Sequence, residues 1–304
     1  MKRKLLRGSL TVLLLSAVVI AILLRTTAAP EECTFAFDLP ALRALGTSLP
    51  GAKPHEIRME HLATFSFPEA IISSGQPFRM SAMPDYAFEL VYADGSHIIV
   101  DTGMDEAQTK ASQGKGFDAA AWQRVSQGML SASAIYVTHE HGDHMGGLLS
   151  SAALAPAWPH AHLTTEQLGP SHGIAAAVPV SDDARRALVP LVYDKTLAVA
   201  PGVVLIKAAG HTPGSQMVLV TRDDGTELLI IGDTAWHLVN IETMRSVPRL
   251  ASLLLGNDAR ANACQLVALH DLARTDPKVN LLPGHDAARM QTLIDSGVIT
   301  PTFR

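Results

Sequence analysis

The sequence predicts an α+β chain in which β-sheets are covered by helices on their outer faces. Three observations carry that prediction. Asp-Gly pairs sit between β-rich runs at Asp94-Gly95 and Asp224-Gly225, a strong short-range hairpin signal. Segments with helix-capping residues are interspersed among those runs. Neither an internal repeat nor a low-complexity linker interrupts residues 30–304, so one domain is expected there.

The elements follow in order. Ala87–Ala93 and His97–Asp101 are expected to form the strands flanking the first Asp-Gly turn, and Ala134–Thr138 (AIYVT) a short buried strand. Val203–Ala208, Met217–Thr221 and Glu227–Ile231 group around the second turn, and Val279–Leu282 is the last strand. Helices are expected over Phe117–Leu130 with Asp118 as N-cap, over Asp182–Val189 after Ser181, and over Asp258–Ala273 between Asn257 and Pro277. A fourth covers Asp286–Asp295, with Gly297 suited to the position after its C-cap. Residues Pro30–Pro84 read as irregular segments wrapping the domain.

Composition narrows the function classes. The 304 residues are 47% hydrophobic and 17% charged, with only 2 Cys, which excludes disorder, collagen and a disulfide-stapled mini-protein. Five of the 24 basic residues (Lys2, Arg3, Lys4, Arg7, Arg25) and none of the 29 acidic ones lie in the first thirty positions, leaving the remainder at net −10. A body that acidic is a poor match for a phosphate backbone, so a small-molecule substrate is expected and nucleic acid is not. All 13 histidines follow residue 50.

The amino terminus has the parts of an export signal: a basic start, the uncharged run Gly8–Leu24 of 17 residues, and small residues Thr27-Ala28-Ala29. Two outcomes are open for residues 1–29, cleavage after Ala29 or retention as a transmembrane anchor. Both carry the body across the membrane, into the periplasm or onto its periplasmic face. Cys33 and Cys264 could pair in an oxidising compartment, a pairing the sequence leaves open.

The decisive stretch is Thr138-His139-Glu140-His141-Gly142-Asp143-His144, directly after an apolar strand. Three imidazoles and a carboxylate so close together are costly unless a cation sits among them. Neutral imidazole and carboxylate are ligands of zinc-type metals. The helical His-Glu-x-x-His motif is absent, because Asp143 stands where its second histidine would be. His211 in Gly210-His211-Thr212-Pro213-Gly214, Asp233 in Ile231-Gly232-Asp233 and His285 in Pro283-Gly284-His285 are further candidates, each at a strand end. Five histidines and two aspartates exceed what one ion needs and suit two metals sharing a bridging carboxylate.

This pattern, His139-x-His141-x-Asp143-His144 followed by His211, Asp233 and His285, resembles the metallo-β-lactamase superfamily. Val100-Asp101-Thr102-Gly103 is similar to its early Asp-x-Gly element, and the resemblance covers roughly residues 88–285. It implies a four-layer αββα sandwich with two Zn²⁺ or other divalent transition metals at one edge. By the same resemblance His139, His141 and His211 hold the first metal, Asp143, His144 and His285 the second, and Asp233 bridges. Asp101 steadies a ligand histidine. The implied chemistry is attack on an acyl carbonyl by hydroxide shared between the metals, with Asp143 or Asp233 orienting or receiving the proton.

Ligand spacing, Asp101-Thr102-Gly103-Met104 and His211-Thr212-Pro213-Gly214 are similar to the N-acyl-homoserine lactonases. Those enzymes typically carry a Tyr three residues after the bridging aspartate; this chain has Trp236, which with His237 becomes a substrate-contact candidate. Trp158, His160, His162 and His172 are weaker candidates for the cleft, and Glu140 is expected to point away from the metals. Hydrolysis of lactones or esters is the expectation, with organophosphate or aryl-ester hydrolysis and iron-dependent sulfur or persulfide dioxygenation as alternatives. Thiolester hydrolases of the glyoxalase II type carry a C-terminal helical domain, for which the residues after His285 are too few.

Overall fold

The computed structural model describes residues 16, 19, 20, 22–170 and 178–304. Two five-stranded mixed sheets stack face to face. The first has the order β10-β1-β2-β3-β4, with β1 Glu56–Pro68, β2 Met80–Val91, β3 His97–Thr102, β4 Ala134–Tyr136 and β10 Thr300–Pro301. The second runs β5-β6-β7-β8-β9, with β5 Thr196–Ala200, β6 Val203–Lys207, β7 Gln216–Thr221, β8 Glu227–Gly232 and β9 Val279–Pro283.

Alternation along each strand sorts the apolar side chains into three layers. Ile57, Phe88, Leu90, Ile98 and Val100 of the first sheet meet Val203, Leu205, Val218, Val220, Leu228 and Ile230 of the second between the sheets. On the outer side of the first sheet, Ile99, Ile135 and Val137 pack under Val125 and Met129 of helix α4 (Ala119–Ser131) and under Met145 and Leu148 of α5 (Gly142–Leu149). On the outer side of the second, Val204, Leu219 and Leu229 pack under Leu39 and Leu42 of α1 (Leu39–Gly46) and Leu266 and Leu269 of α9 (Ala259–Thr275). The order of layers is therefore helix, sheet, sheet, helix, the expected sandwich.

The hairpins at Asp94-Gly95 and Asp224-Gly225 form as predicted. Asp118, Ser181, Asp258 and Asp286 cap α4, α6 (Asp182–Ala187), α9 and α10 (Ala287–Asp295) through their side chains. The reading of Pro30–Pro84 as irregular is corrected. That stretch contains α1, the thirteen-residue β1, the short helix α2 (Glu69–Ile72) and the start of β2. β1 buries both faces, Ile57 inward and Leu62 outward, and its register shifts between His61 and Ala63, so no clean polar alternation marks it.

The transmembrane reading of residues 8–24 is corrected as well: among the described residues no helix is long and apolar enough to cross a membrane. Most of that run lies outside the described residues, and the helical part that is described ends at Leu23. Beyond it the chain is tied to the body, where Ser74 Oγ donates to the Leu24 carbonyl at 2.8 Å and Arg249 N to the Arg25 carbonyl at 2.9 Å. Cys33 and Cys264 form a disulfide that pins the segment before α1 to α9.

Strand direction decides where the site lies. β3 and β4 run parallel, as do β8 and β9, and β6 and β8 both run antiparallel to β7. Gln216 at the start of β7 donates from its backbone N to the Thr138 carbonyl at 2.8 Å and from Nε2 to the Val137 carbonyl at 2.7 Å, just past the end of β4. The C-terminal ends of β3, β4, β6, β8 and β9 thus open on one edge of the sandwich.

Candidate metal centre

Every ligand candidate leaves one of those strand ends. Past β4 the chain leads through Val137 and Thr138 to His139, and His141 is the N-cap of α5. The first turn of α5 therefore carries Asp143 and His144, which the sequence reading had put on a simple turn. His211 follows β6, Asp233 follows β8 and His285 follows β9.

The seven side chains converge as two groups. His139, His141, His211 and Asp233 form one, and Asp143, His144 and His285 the other, with ligand atoms in each lying within 4.8 Å of one another. In the first, His141 Nδ1 lies 3.0 Å from both His139 Nε2 and His211 Nε2. Asp233 joins the two groups with separate oxygens. Its Oδ2 is 3.4 Å from His211 Nε2 and 3.8 Å from His139 Nε2, while Oδ1 is 3.1 Å from His285 Nε2 and 3.3 Å from His144 Nε2. Asp143 Oδ2 lies 3.5 Å from His285 Nε2 and 3.9 Å from His144 Nε2.

The donor chemistry fits divalent cations. Nitrogens of three histidine rings crowd together at 3.0 Å, and both His144 Nε2 and Asp233 Oδ1 are buried without a hydrogen-bond partner. Electrostatics point the same way. Burial holds His139 and His141 below the usual histidine range and brings His211 to about 3, so all three are neutral ligands-in-waiting. Burial opposes protonation of His144 and His285 too, but carboxylates overcome it. Asp101, Asp143 and Asp233 hold His144 well above its usual value, and Asp233 and Asp143 raise His285 to about 9. Burial likewise opposes ionisation of Asp233, yet the His285 and His144 cations beside it keep it well below the carboxylate range. Two positive charges thus gather around the carboxylates where metal charge would lie.

Outer contacts fix the ligands. Asp101 accepts from Thr138 N at 2.6 Å, from Thr138 Oγ1 at 2.9 Å and from His144 Nδ1 at 2.9 Å, which orients the His144 ring with Nε2 toward Asp233. His285 Nδ1 donates to the Pro84 carbonyl at 2.9 Å. Glu140 points away from the metal groups, as expected, but into a clamp: its carboxylate accepts from Thr212 Oγ1 at 2.7 Å and Gly214 N at 3.2 Å, binding the His211 turn to the His139–His141 segment.

A cavity of about 490 Å³ opens over the two groups. His141, Asp143, His211, Asp233 and His285 form its floor; Phe65, Phe67, Met83, Met104, Trp236 and Leu254 are among its walls. Trp236 lies 5.9 Å from Phe67 and 6.3 Å from His211 between ring centroids. His237 is not in the lining; it precedes α7 (Leu238–Thr243), its backbone N donating to Asn240 Oδ1 at 2.9 Å. Trp158 is buried in the outer layer with Nε1 donating to the Leu148 carbonyl, and His162 stacks on Tyr136. Neither they nor His160 line the cavity, and His172 lies outside the described residues. Sequence reading missed Phe65 and Phe67, hidden in the stretch taken as irregular, and Asp85, a buried carboxyl whose protonation is favoured by burial and by the nearby Asp143 charge.

Residues 88–287 match the sequence profile of the metallo-beta-lactamase superfamily. The chain belongs to this superfamily. Within the superfamily, a hydroxyacylglutathione hydrolase of Xanthomonas euvesicatoria pv. vesicatoria is 37% identical over 89 residues, 28% of this chain and 29% of that protein. One from Xanthomonas axonopodis pv. citri is 39% identical over 85 residues, 27% of each. The chain thus aligns with under a third of the length of these curated relatives. Among solved structures, a quorum-quenching N-acyl homoserine lactone lactonase superposes with a TM-score of 0.61 at 18% identity, covering 80% of this chain and 97% of that one. A dizinc quorum-quenching lactonase superposes at 0.55 and 15% identity, covering 78% and 90%. At those identities the likeness is one of fold. The fold and the His/Asp groups together support use of a divalent metal and a hydrolase.

Proposed function

We propose that the chain is a dinuclear-metal hydrolase that opens lactones or related esters bearing apolar acyl groups. One observation carries this reading: the two oxygens of Asp233 face different sets of imidazole nitrogens, Oδ2 toward His139 and His211 and Oδ1 toward His144 and His285. That is the geometry a bridging carboxylate needs. His139, His141 and His211 would hold one cation, and Asp143, His144 and His285 the other. Two divalent cations held there, with zinc the first choice for this donor set, would supply an activated water and polarisation of a substrate carbonyl.

The chain's own residues do the rest. Asp143 is the most exposed of the seven, at 22% of its side chain, and faces the cavity, within reach of a proton leaving the attacking water or returning to the departing alkoxide. Asp233 keeps its charge at neutral pH and orients the attacking oxygen. Trp236, Phe65 and Phe67 exclude water along the acyl wall.

The hydroxyacylglutathione hydrolase relatives favour a second reading, thioester hydrolysis. Against it, none of the described residues lining the cavity is Lys or Arg, so nothing there pairs with the carboxylates of glutathione. The disulfide Cys33–Cys264 supports work in an oxidising compartment, outside the cytoplasm. The experiment is turnover by zinc-loaded protein of acyl lactones, aryl esters, an organophosphate triester and a glutathione thioester, with metal content measured on the same sample. Fastest kcat/KM on a lactone or ester with two metals bound is expected. Iron at one equivalent with oxygen uptake, or preference for the thioester, would replace the reading.

A further inference from the structure

The same edge of the sandwich that carries the cavity also carries six of the large apolar side chains that stand in solvent among the described residues. β1 ends at this edge and β2 begins there, so Phe67 and Met80 flank the mouth, and Phe78 projects from the turn between them with 82% of its surface exposed. Across the mouth, helix α8 (Arg249–Leu255) turns Ala251, Leu254 and Leu255 into the cavity while presenting Leu250 and Leu253 to water, Leu253 at 73% exposure. Phe67 and Leu254 do both, lining the cavity and standing exposed on its rim. Apolar side chains exposed on both sides of a cavity mouth are unusual on a protein that meets only water.

Two further observations say what covers it. Exposed arginines stand on the elements that form the rim: Arg79 between Phe78 and Met80, Arg245 before α8 and Arg249 as its first residue; Glu69 pairs with Arg79, the Arg245 guanidinium reaches the Ser74 carbonyl, and Glu242 is an exposed acid on α7. Aromatic and aliphatic tips ringed by cations are the makings of an interfacial surface that inserts into a bilayer with anionic headgroups. The apolar side chains of Val19, Ile20, Ile22 and Leu24 are also exposed, and they join the body on this side through the bonds from Ser74 to Leu24 and from Arg249 to Arg25.

We infer that the mouth of the cavity docks flat on a lipid bilayer surface, with Phe78 and Leu253 inserted and the arginines at the headgroups, so that amphiphilic molecules enter the site from the membrane. This docking stands apart from the choice of substrate. It needs no span across the membrane.

The test uses the full chain with single added tryptophans at exposed sites. Phe78→Trp and Leu253→Trp report the rim. Leu130→Trp is the control, because α4 ends beside Ser133 and His97 at the opposite edge of the sandwich. Vesicles of phosphatidylcholine with about one-third phosphatidylglycerol are compared with the same vesicles carrying bromine on the acyl chains. Brominated lipid is expected to quench about half of the added emission at positions 78 and 253 and none at 130, measured over the unsubstituted chain. The paired variant Phe78→Asp with Leu253→Asp should lower vesicle partitioning about tenfold or more while leaving hydrolysis of a soluble short ester unchanged. Vesicle binding without quenching at 78 and 253, equal quenching at 130, or burial of both probes in a lipid-free dimer would each overturn the inference.

Discussion

Asp101 Oδ2 lies 2.9 Å from His144 Nδ1, and the same carboxylate takes both the N–H and the hydroxyl of Thr138. One buried side chain therefore fixes the ring of one ligand and the backbone just before another. Asp101 sits at φ +60°, a conformation that Asn tolerates nearly as well, so Asp101→Asn tests the charge without disturbing the backbone. The amide can accept from Thr138 N, but its NH₂ then faces His144 Nδ1. We expect metal affinity to fall about 10- to 100-fold, read by competition with a chromogenic chelator, together with a lower unfolding temperature of the metal-free protein, because the buried pair with protonated His144 is lost.

Gly284 packs against the Asp233 carboxylate. A Cβ built there collides with Asp233 Oδ1 and comes within 3.3 Å of the Gly232 backbone, so the strand end of β9 can approach β8 only without a side chain. Gly284→Ala should push Asp233 off both groups of histidines. The expected outcome is metal content falling from about two ions per chain to about one or fewer, with the fold retained by circular dichroism. Retention of two ions would mean that Asp233 is not needed to hold them.

Much of this site was legible because its chemistry is written in short words. His139, His141, Asp143 and His144 announce themselves in one heptapeptide, and His211, Asp233 and His285 each follow a run of apolar residues that ends in glycine or proline. The structure brings all seven together. Legibility stopped where pairing is non-local. β1 buries both faces and carries a register shift, so the strand that supplies Phe65 and Phe67 to the cavity looked irregular. His237 looked equivalent to Trp236 in sequence, yet one position decides between facing the cavity and starting α7. Glu140 could be set aside as a ligand from alternation along the chain, but its clamp on Thr212 spans 72 residues and leaves no local trace.

That clamp makes a separable prediction. Glu140→Ala leaves the buried Thr212 hydroxyl and Gly214 N–H without their acceptor, a loss of about 2 kcal/mol in unfolding free energy. Because the His211 turn is then free of the His139–His141 segment, metal affinity of the first group should fall along with stability. Glu140→Gln keeps one carbonyl oxygen of the same shape and should recover most of both. Chemical denaturation and metal titration on the three proteins check it; equal loss in the Gln variant would show that charge rather than the hydrogen bonds matters.

Proton counting tests whether the metal groups are what they look like. Near pH 7 the metal-free site holds His144 and His285 protonated, His285 with a value of about 9, while burial keeps His139, His141 and His211 neutral. A cation that takes Nε2 of both raised histidines must displace their protons, whereas the lowered three have none to give. Loading the metal-free protein at pH 7 should therefore release about two protons per chain, with the contribution of His285 fading as the pH rises past about 9. Calorimetric titration with zinc in two buffers of different ionisation enthalpy reads that number directly. Release of no protons at pH 7 would mean that the cation does not displace the protons on His144 and His285, and the second metal group would have to be drawn elsewhere.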